Sequence, residues 1–199
     1  STLARNGDQI MDLNFRYTKE LADYALSKGI RFIYASSAAT YGDGNLGFDD
    51  DHELSSRLRP LNLYGYSKLL FDNWAIETGA IDNIVGLKYF NVFGPNEYHK
   101  DEMKSVVNKA FEYIQNTNKM RLFKSHKPEM PNGDQKRDFV YVKDAVDMTV
   151  FFLGNELGGL YNVGTGKART FNDLVRRVFE SMGRDVAIDY FDMPANLKR

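Results

Sequence analysis

Residues 30–37 are Ile-Arg-Phe-Ile-Tyr-Ala-Ser-Ser, a short apolar run that ends in two serines. Before this run, apolar side chains recur at helical spacing from Leu13 to Ala25, and Gly29 is placed to end that helix. A short apolar run between two helices is typical of a strand buried in a parallel sheet. The stretch therefore predicts an α/β fold, with Ser37 at the carboxyl end of a strand.

The rest of the chain repeats this alternation of helices and strands. Two polar stretches, 41–63 and 124–136, predict loops. Helical spacing predicts further helices over 64–78, 103–116, 143–153 and 170–182. Short apolar runs predict further strands over 83–90, 138–142, 160–163 and 186–190. Strands alternating with helices favour a parallel sheet covered by helices.

Composition excludes several classes of protein. The chain has 199 residues, a net charge of −1 and no cysteine, so disulfides and thiolate chemistry are excluded and no global charge attracts nucleic acid. No apolar run approaches the roughly 20 residues that span a bilayer. The histidines share no metal-ligand spacing. We expect a cytoplasmic protein that needs no metal and binds neither nucleic acid nor membranes.

The spacing Tyr-x-x-x-Lys occurs twice, at Tyr24/Lys28 and at Tyr64/Lys68. The first pair closes a helix just before Gly29, and we interpret it as structural. The second pair opens a helix after a long loop. A phenol is a poor base at neutral pH because its pKa is near 10, and an ammonium one helical turn away lowers that pKa. Tyr64 and Lys68 are therefore the candidate catalytic pair.

Ser37 is the candidate hydroxyl that orients a substrate beside Tyr64. In open α/β sheets, ligands bind outside the carboxyl ends of the strands, where Ser37 is expected to lie. The alternative is a loop serine that caps local backbone.

A phosphate-binding turn is the next motif to seek, and residues 42–47 do spell Gly-x-Gly-x-x-Gly. The acidic stretch Phe48-Asp49-Asp50-Asp51 follows, however, where the motif requires the start of a helix. We interpret 42–47 as a loop, and Gly164-Thr165-Gly166 as a short turn. The chain starts at Ser1 without methionine, so we expect the glycine-rich turn to precede it.

Three polar residues outside these motifs are binding candidates. Asn91 follows a predicted strand and has the amide to bind a sugar hydroxyl or a diphosphate. Arg137 next to a strand start can pair with a phosphate, or alternatively with Asp134 or Asp138. Lys100, by itself, is more typical of a solvated surface lysine.

At these residues the chain resembles the extended short-chain dehydrogenase/reductase family. The matching segments follow the family's order and cover most of the chain: Asn14, residues 35–42 (ASSAATYG), 60–68 (PLNLYGYSK), 89–95 (YFNVFGP), 137–144 (RDFVYVKD) and 161–166 (YNVGTG).

This resemblance implies a Rossmann-like, doubly wound parallel sheet whose N-terminal strands are missing, and a smaller α/β domain. Residues 1–90 and 138–163 are then the remainder of the NAD(P)-binding domain. Residues 91–137 and 164–199 form the substrate-binding domain. The implied cofactor is NADP, with NAD possible, and the implied partners are a nucleotide sugar and further copies of the chain in a homo-oligomer.

The resemblance also implies a catalytic role for each matching residue. Tyr64 is one acid/base residue, Lys68 holds the nicotinamide ribose and tunes Tyr64, and Ser37 binds near the reacting hydroxyl. Lys100, within His99-Lys100-x-x-Met103, is the second acid/base residue, on the opposite face of the substrate.

Four further binding roles are implied in the same way. Asn91 and Arg137 contact the substrate, with Arg137 at its diphosphate. Val92 lines the cofactor, and Asn14 belongs to the cofactor-binding set.

The implied reaction inverts C6 of an ADP-activated glycero-manno-heptose, a step in making the lipopolysaccharide core. Hydride leaves C6 for the cofactor, and the resulting 6-ketone is reduced again on its other face, so each face needs its own proton handler. The alternatives are a sugar 4-epimerase, a 4,6-dehydratase or a catalytically silent module of the same fold. A dehydratase usually has an acidic pair near the serine, where this chain has Ala38-Ala39.

Overall fold

The computed structural model describes residues 7–125 and 127–192, so His126 lies outside the described residues. Its fold class is α/β, as predicted. In the described part of the chain, the helices are α1 (Gly7–Met11), α2 (Tyr17–Ser27), α3 (His52–Ser55), α4 (Leu63–Glu77), α5 (Val106–Thr117), α6 (Val142–Phe151) and α7 (Phe171–Ser181). The strands are β1 (Phe32–Ser37), β2 (Ile84–Tyr89), β3 (Asn91–Phe93), β4 (Met120–Phe123), β5 (Lys136–Tyr141), β6 (Gly159–Val163), β7 (Ala168–Thr170) and β8 (Ile188–Phe191).

The chain divides into two compact units. The first comprises Ser1–Phe90 and Lys143–Val163, and the second Asn91–Val142 and Gly164–Arg199. The predicted boundary assigned residues 138–142 to the first domain, whereas the structure groups them with the second unit. The reason is strand pairing, because β5 pairs with β3 and β7, which both belong to the second unit.

The first unit is built on the parallel sheet that the sequence predicted. Its strand order is β1-β2-β6, and both pairings are parallel. Helices α2 and α4 contribute to the core of this unit, whose buried members are Ala22, Tyr34, Phe71, Ala75, Ala80, Ile81, Ile84 and Leu160. Burial of these side chains stabilises the unit.

Strand β1 begins at Phe32, two residues later than the apolar run suggests. Arg31 lies in the connection instead, where its guanidinium donates hydrogen bonds to the backbone oxygens of Phe152 and Leu157. The preceding helix ends as predicted, since Gly29 adopts φ +64°, a conformation that glycine takes without strain. At its other end, β1 extends to Ser37, which is its last residue.

The second unit has two small sheets around a core formed largely by α5 and α7. Strand β5 pairs in parallel with β3 and antiparallel with β7, and β4 pairs in parallel with β8. Thr170 and Asp173 form the predicted capping box of α7. Strands β3, β4 and β7, of three or four residues each, were not predicted, whereas the equally short β8 was.

The described part of the chain contains no helix with both the length and the apolar character needed to cross a bilayer.

Candidate active site

The candidate catalytic pair lies at the start of helix α4. Asn62 caps this helix, and its Oδ1 accepts a hydrogen bond from the Gly65 backbone N–H at 2.8 Å. Tyr64 and Lys68 follow within the first two turns. Since they are four residues apart in one helix, their side chains leave from the same face.

Lys68 is anchored to strand β1. Its Nζ donates a hydrogen bond to the Ala35 backbone oxygen at 2.8 Å. Burial lowers the pKa of Lys68, and the negative charge of Asp72 opposes that shift without cancelling it. The ammonium is thus held two residues before Ser37.

Ser37 caps the short 3₁₀ turn Ala38–Tyr41. Its Oγ accepts a hydrogen bond from the Ala39 backbone N–H at 3.1 Å. The alternative considered for this serine, a local backbone cap, is therefore present in the structure. A hydroxyl that accepts one bond still has a proton to donate, so the cap leaves Ser37 able to bind a substrate oxygen.

Gly65 allows the first turn of α4 to lie directly against this 3₁₀ turn. A Cβ at position 65 would sit 2.7 Å from the Ala39 backbone oxygen and 2.8 Å from Pro60 Cβ. Gly42 makes a similar approach, since a Cβ there would lie 2.0 Å from the Arg59 backbone oxygen. The two glycines bring the chain after Ser37 into contact with the chain around Tyr64, a relationship that the sequence pattern alone did not reveal.

Asn14 lies in a π-helical turn, Asp12–Arg16, that joins α1 to α2. Its Nδ2 donates a hydrogen bond at 3.0 Å to the Oγ of Ser67, the neighbour of Lys68. Such π-turns are frequent at functional sites. The first unit thus brings Asn14, Ser37, Tyr64 and Lys68 together around the carboxyl end of β1 and the start of α4.

The competing Tyr-x-x-x-Lys pair has a different setting. Tyr24 is 60% exposed, and Lys28 lies beyond Ser27, the last residue of α2. Tyr64/Lys68, by contrast, lies at the start of α4, where Lys68 Nζ contacts the end of β1.

The glycine-rich stretch 42–47 forms turns, and no helix starts at its end. The loop after it is fixed to β6: the Asn162 backbone N–H donates to Asp50 Oδ2 at 2.6 Å, and Asn162 Nδ2 donates to the Phe48 oxygen at 2.7 Å. The interpretation of 42–47 as a loop, with no phosphate-binding helix after it, is confirmed.

The remaining candidates belong to the second unit. Asn91 opens β3, and its Nδ2 donates to the Asp138 backbone oxygen at 3.1 Å. Val92 follows it and is half-buried. Arg137 is exposed on β5 and donates to the Lys136 backbone oxygen at 2.7 Å.

The alternative acidic partners of Arg137 are engaged elsewhere. Asp138 accepts hydrogen bonds from the Thr165 and Gly166 backbone N–H groups, and Asp134 accepts one from Asn172. Within the described residues, Arg137 makes no ion pair. The guanidinium therefore remains available to an anion.

A second arginine stands beside Arg137. In the antiparallel pairing of β5 and β7, Arg169 is directly opposite Arg137, so both side chains leave the same face of the sheet. Like charges in this position repel each other, and an anion between them would remove the repulsion. The sequence analysis missed Arg169 because only strand pairing brings the two residues together.

Lys100 lies in the 3₁₀ segment Tyr98–Met103, with its side chain 43% exposed and Nζ 3.8 Å from Glu97 Oε2. Glu97 is buried and was also missed. Its carboxylate accepts hydrogen bonds from the backbone N–H groups of Gly94 and Ser105 and from the Ser105 hydroxyl. Glu97 therefore closes the loop that carries Lys100.

The profile of the NAD dependent epimerase/dehydratase family matches residues 2–164. Over its whole length the chain is 53% identical to the ADP-L-glycero-D-manno-heptose-6-epimerase of Nitratidesulfovibrio vulgaris, covering 62% of that protein. It is also 44% identical to the enzyme of the same name from Fusobacterium nucleatum, covering 63% of it.

Among solved structures, the Helicobacter pylori ADP-L-glycero-D-manno-heptose-6-epimerase superposes with a TM-score of 0.81 at 31% identity. The match covers 96% of this chain and 58% of the other. The chain therefore spans about three fifths of the length of the relatives it matches.

Proposed function

This chain belongs to the NAD dependent epimerase/dehydratase family, and we propose that it is part of an ADP-glycero-manno-heptose 6-epimerase. The enzyme inverts C6 of the nucleotide sugar through a transient 6-ketone, with a nicotinamide cofactor that ends in its starting state. In this proposal the product is a precursor in the biosynthesis of the lipopolysaccharide core.

The observation that carries the proposal is the anchoring of Lys68. Its Nζ donates a hydrogen bond to the backbone oxygen of Ala35, two residues before Ser37. Lys68 leaves α4 from the same face as Tyr64. A serine hydroxyl, a phenol and an ammonium held by one strand and one helix are the groups required to move a proton at a sugar hydroxyl. The 53% identity to a protein named as this epimerase supports the choice of substrate.

The donor set at α4 fits a nicotinamide ribose, because Lys68 Nζ spends one of its three donors on Ala35 and keeps two for hydroxyl groups. When bound, the nicotinamide accepts and returns the C6 hydrogen with its electron pair. NADP is the proposed form. Lys68, Asn14 and Val92 are the proposed cofactor contacts among the described residues.

Each proton has a proposed carrier. Ser37 donates a hydrogen bond to the reacting oxygen, and Tyr64, one helical turn from the Lys68 ammonium, takes the hydroxyl proton. Reduction of the ketone on its other face needs a second acid, for which we propose Lys100. Asn91 and Arg137 are the proposed substrate contacts. We add Arg169, because it places a second positive charge beside that of Arg137 for binding a diphosphate.

A direct assay tests this function. The full-length protein that contains this chain is incubated with ADP-D-glycero-D-manno-heptose and NADP, and the sugar configuration is followed by NMR while absorbance at the NADPH wavelength is recorded. We expect inversion at C6 without accumulation of reduced cofactor. A product lighter by one water would identify a dehydratase, inversion of a UDP-sugar at C4 would identify a 4-epimerase, and cofactor binding without turnover would identify a silent module.

Homo-oligomeric assembly is part of the proposal. Apolar side chains are exposed along α4 and along the helix that ends in α2: Leu13, Tyr17, Leu21, Leu63, Tyr66 and Leu70. Exposed apolar stripes of this kind are typical of protein–protein contacts. Sedimentation velocity on the full chain tests this, and a single monomeric species at micromolar concentration would contradict it. We also propose a cytoplasmic location, consistent with the absence of cysteine.

A further inference from the structure

A charged pair is fully buried beneath the candidate site. Asp72, on α4, has 0% exposure and Lys88, on β2, has 1%. Lys88 Nζ lies 3.2 Å from Asp72 Oδ2. Removing two charges from water is costly, and apolar side chains of similar size often stabilise a core as well or better. Stability alone therefore does not explain this pair.

Both oxygens of the Asp72 carboxylate accept hydrogen bonds from hydroxyl groups of β1. The Tyr34 hydroxyl donates to Oδ1 at 2.9 Å, and the Ser36 hydroxyl donates to Oδ2 at 2.7 Å. Lys88 Nζ in turn donates to Thr40 Oγ1 at 3.0 Å and lies 4.8 Å from the centroid of the Tyr41 ring. Both charges are thus satisfied within the protein.

These contacts surround the strand segment that presents Ser37. Tyr34 and Ser36 flank Ala35, whose oxygen holds Lys68. The Thr40 hydroxyl that Lys88 contacts donates to the Ser37 backbone oxygen at 2.8 Å. Helix α4 is consequently fastened to strand β1 by three side-chain hydrogen bonds, and two of the three end on Asp72.

We propose that Asp72 and Lys88 are positioning residues, which lock α4 onto β1 and so fix Tyr64 and Lys68 relative to Ser37. The inference rests on the proposed function of that set. A separate electrostatic effect acts in the same direction. Asp72 lies one turn beyond Lys68, and its negative charge raises the pKa of Lys68 against the larger lowering by burial. The carboxylate thereby helps to keep Lys68 cationic.

The decisive variant removes both charges at once, because a single substitution would leave the other charge buried without a partner. We expect the double variant Asp72→Leu/Lys88→Met of the full-length protein that contains this chain to fold and to keep its KM for the ADP-heptose. Its kcat should fall by about 10- to 100-fold, since misplacement of reacting groups by about 1 Å costs up to that much. Ile84→Val, at a fully buried position on β2, is the control that lowers stability and leaves kcat unchanged.

A folded double variant with unchanged kcat would overturn the proposal. If the double variant does not fold, Tyr34→Phe and Ser36→Ala each delete one hydrogen bond to Asp72. We expect each to lower kcat by about 3- to 10-fold with KM unchanged, in line with about 1 kcal/mol for one hydrogen bond. Unchanged kcat in both would equally overturn it. Normal turnover in Tyr64→Phe would instead reject the proposed function itself, so the two failures are distinguishable.

Discussion

Lys68 and Ala35 join helix α4 to strand β1 through a 2.8 Å hydrogen bond from Nζ to the backbone oxygen. The bond fixes the ammonium next to the serine-bearing end of the strand. It also means that the site in the first unit is built from a helix start and a strand end, each with its own cap. Asn62 caps the helix, and Ser37 caps the turn after the strand.

Tyr64 is expected to be indispensable. Tyr64→Phe removes the hydroxyl that moves the proton, so kcat should fall by about 10³-fold, within the 10²–10⁴ that acid–base catalysis contributes. NADP binding should be retained. Tyr24→Phe is the matched control, because it removes the same atom from the other Tyr-x-x-x-Lys pair, whose tyrosine is exposed. Epimerisation at the normal rate by Tyr64→Phe would reject the assigned role.

Gly65→Ala should impair turnover through geometry. The added Cβ would meet the Ala39 oxygen at 2.7 Å, so the first turn of α4 must move away from the 3₁₀ turn after Ser37. We expect kcat to fall at least about 10-fold, because small displacements of reacting groups are costly. Steady-state kinetics measures this. In Gly154→Ala the nearest atom would be the Phe151 oxygen at 3.9 Å, and this control should keep full activity.

Lys100→Met tests the second proton carrier. If Lys100 protonates the ketone on its second face, the variant should lose epimerisation by about 10²-fold or more while Tyr64 can still act on the first face. Lys119→Met, at a 61% exposed side chain paired with Asp189, is the control. Normal epimerisation by Lys100→Met, with Tyr64→Phe inactive, would favour a mechanism with a single base.

Glu97 should make the second unit sensitive to acid. Burial by itself raises the pKa of Glu97, but hydrogen bonds from Ser105 and Gly94 and the charge of Lys100 outweigh it, so the pKa lies below its usual value. The folded state then binds the proton more weakly than the unfolded state. The stabilisation is complete above the unfolded pKa, near 4.3, and is lost as pH falls through the lower folded value.

The measurement compares wild type with Glu97→Gln in urea unfolding followed by circular dichroism at pH 7, 5 and 3. We expect the difference in unfolding free energy to be similar at pH 7 and 5 and smaller at pH 3. Glu77→Gln, at an exposed position at the end of α4, should show no such trend. A Glu97→Gln difference that stays constant down to pH 3 would contradict the assigned ionisation.

Arg137→Ala and Arg169→Ala should each weaken substrate binding more than turnover. Loss of one charge-assisted hydrogen bond, about 1.5–3 kcal/mol, corresponds to a KM raised about 10- to 100-fold. Isothermal titration calorimetry with ADP measures the Kd for the nucleotide separately from turnover. Arg177→Ala, an 82% exposed side chain paired with Glu180, should change neither quantity. Unaltered binding in Arg169→Ala would leave Arg137 as the only arginine of this pair that contacts the diphosphate.

Local patterns carried much of the fold and part of the site. The alternation of apolar runs and helical spacing predicted the α/β class and the parallel sheet of the first unit, because burial periodicity is written in consecutive residues. The capping box at Thr170 and the end of α2 near Gly29 were predicted for the same reason. A strand of three residues, such as β7, carries too little pattern to be recognised.

The order of residues along the chain defines which chemical groups are available: a phenol and an ammonium one helical turn apart, a serine at the end of an apolar run, and no thiol. Which groups contact each other depends on how the chain folds. Arg169 faces Arg137, and Lys88 meets Asp72, because strands and helices distant in the chain come into register. Contacts of this kind depend on packing in three dimensions, and no spacing along the chain encodes them.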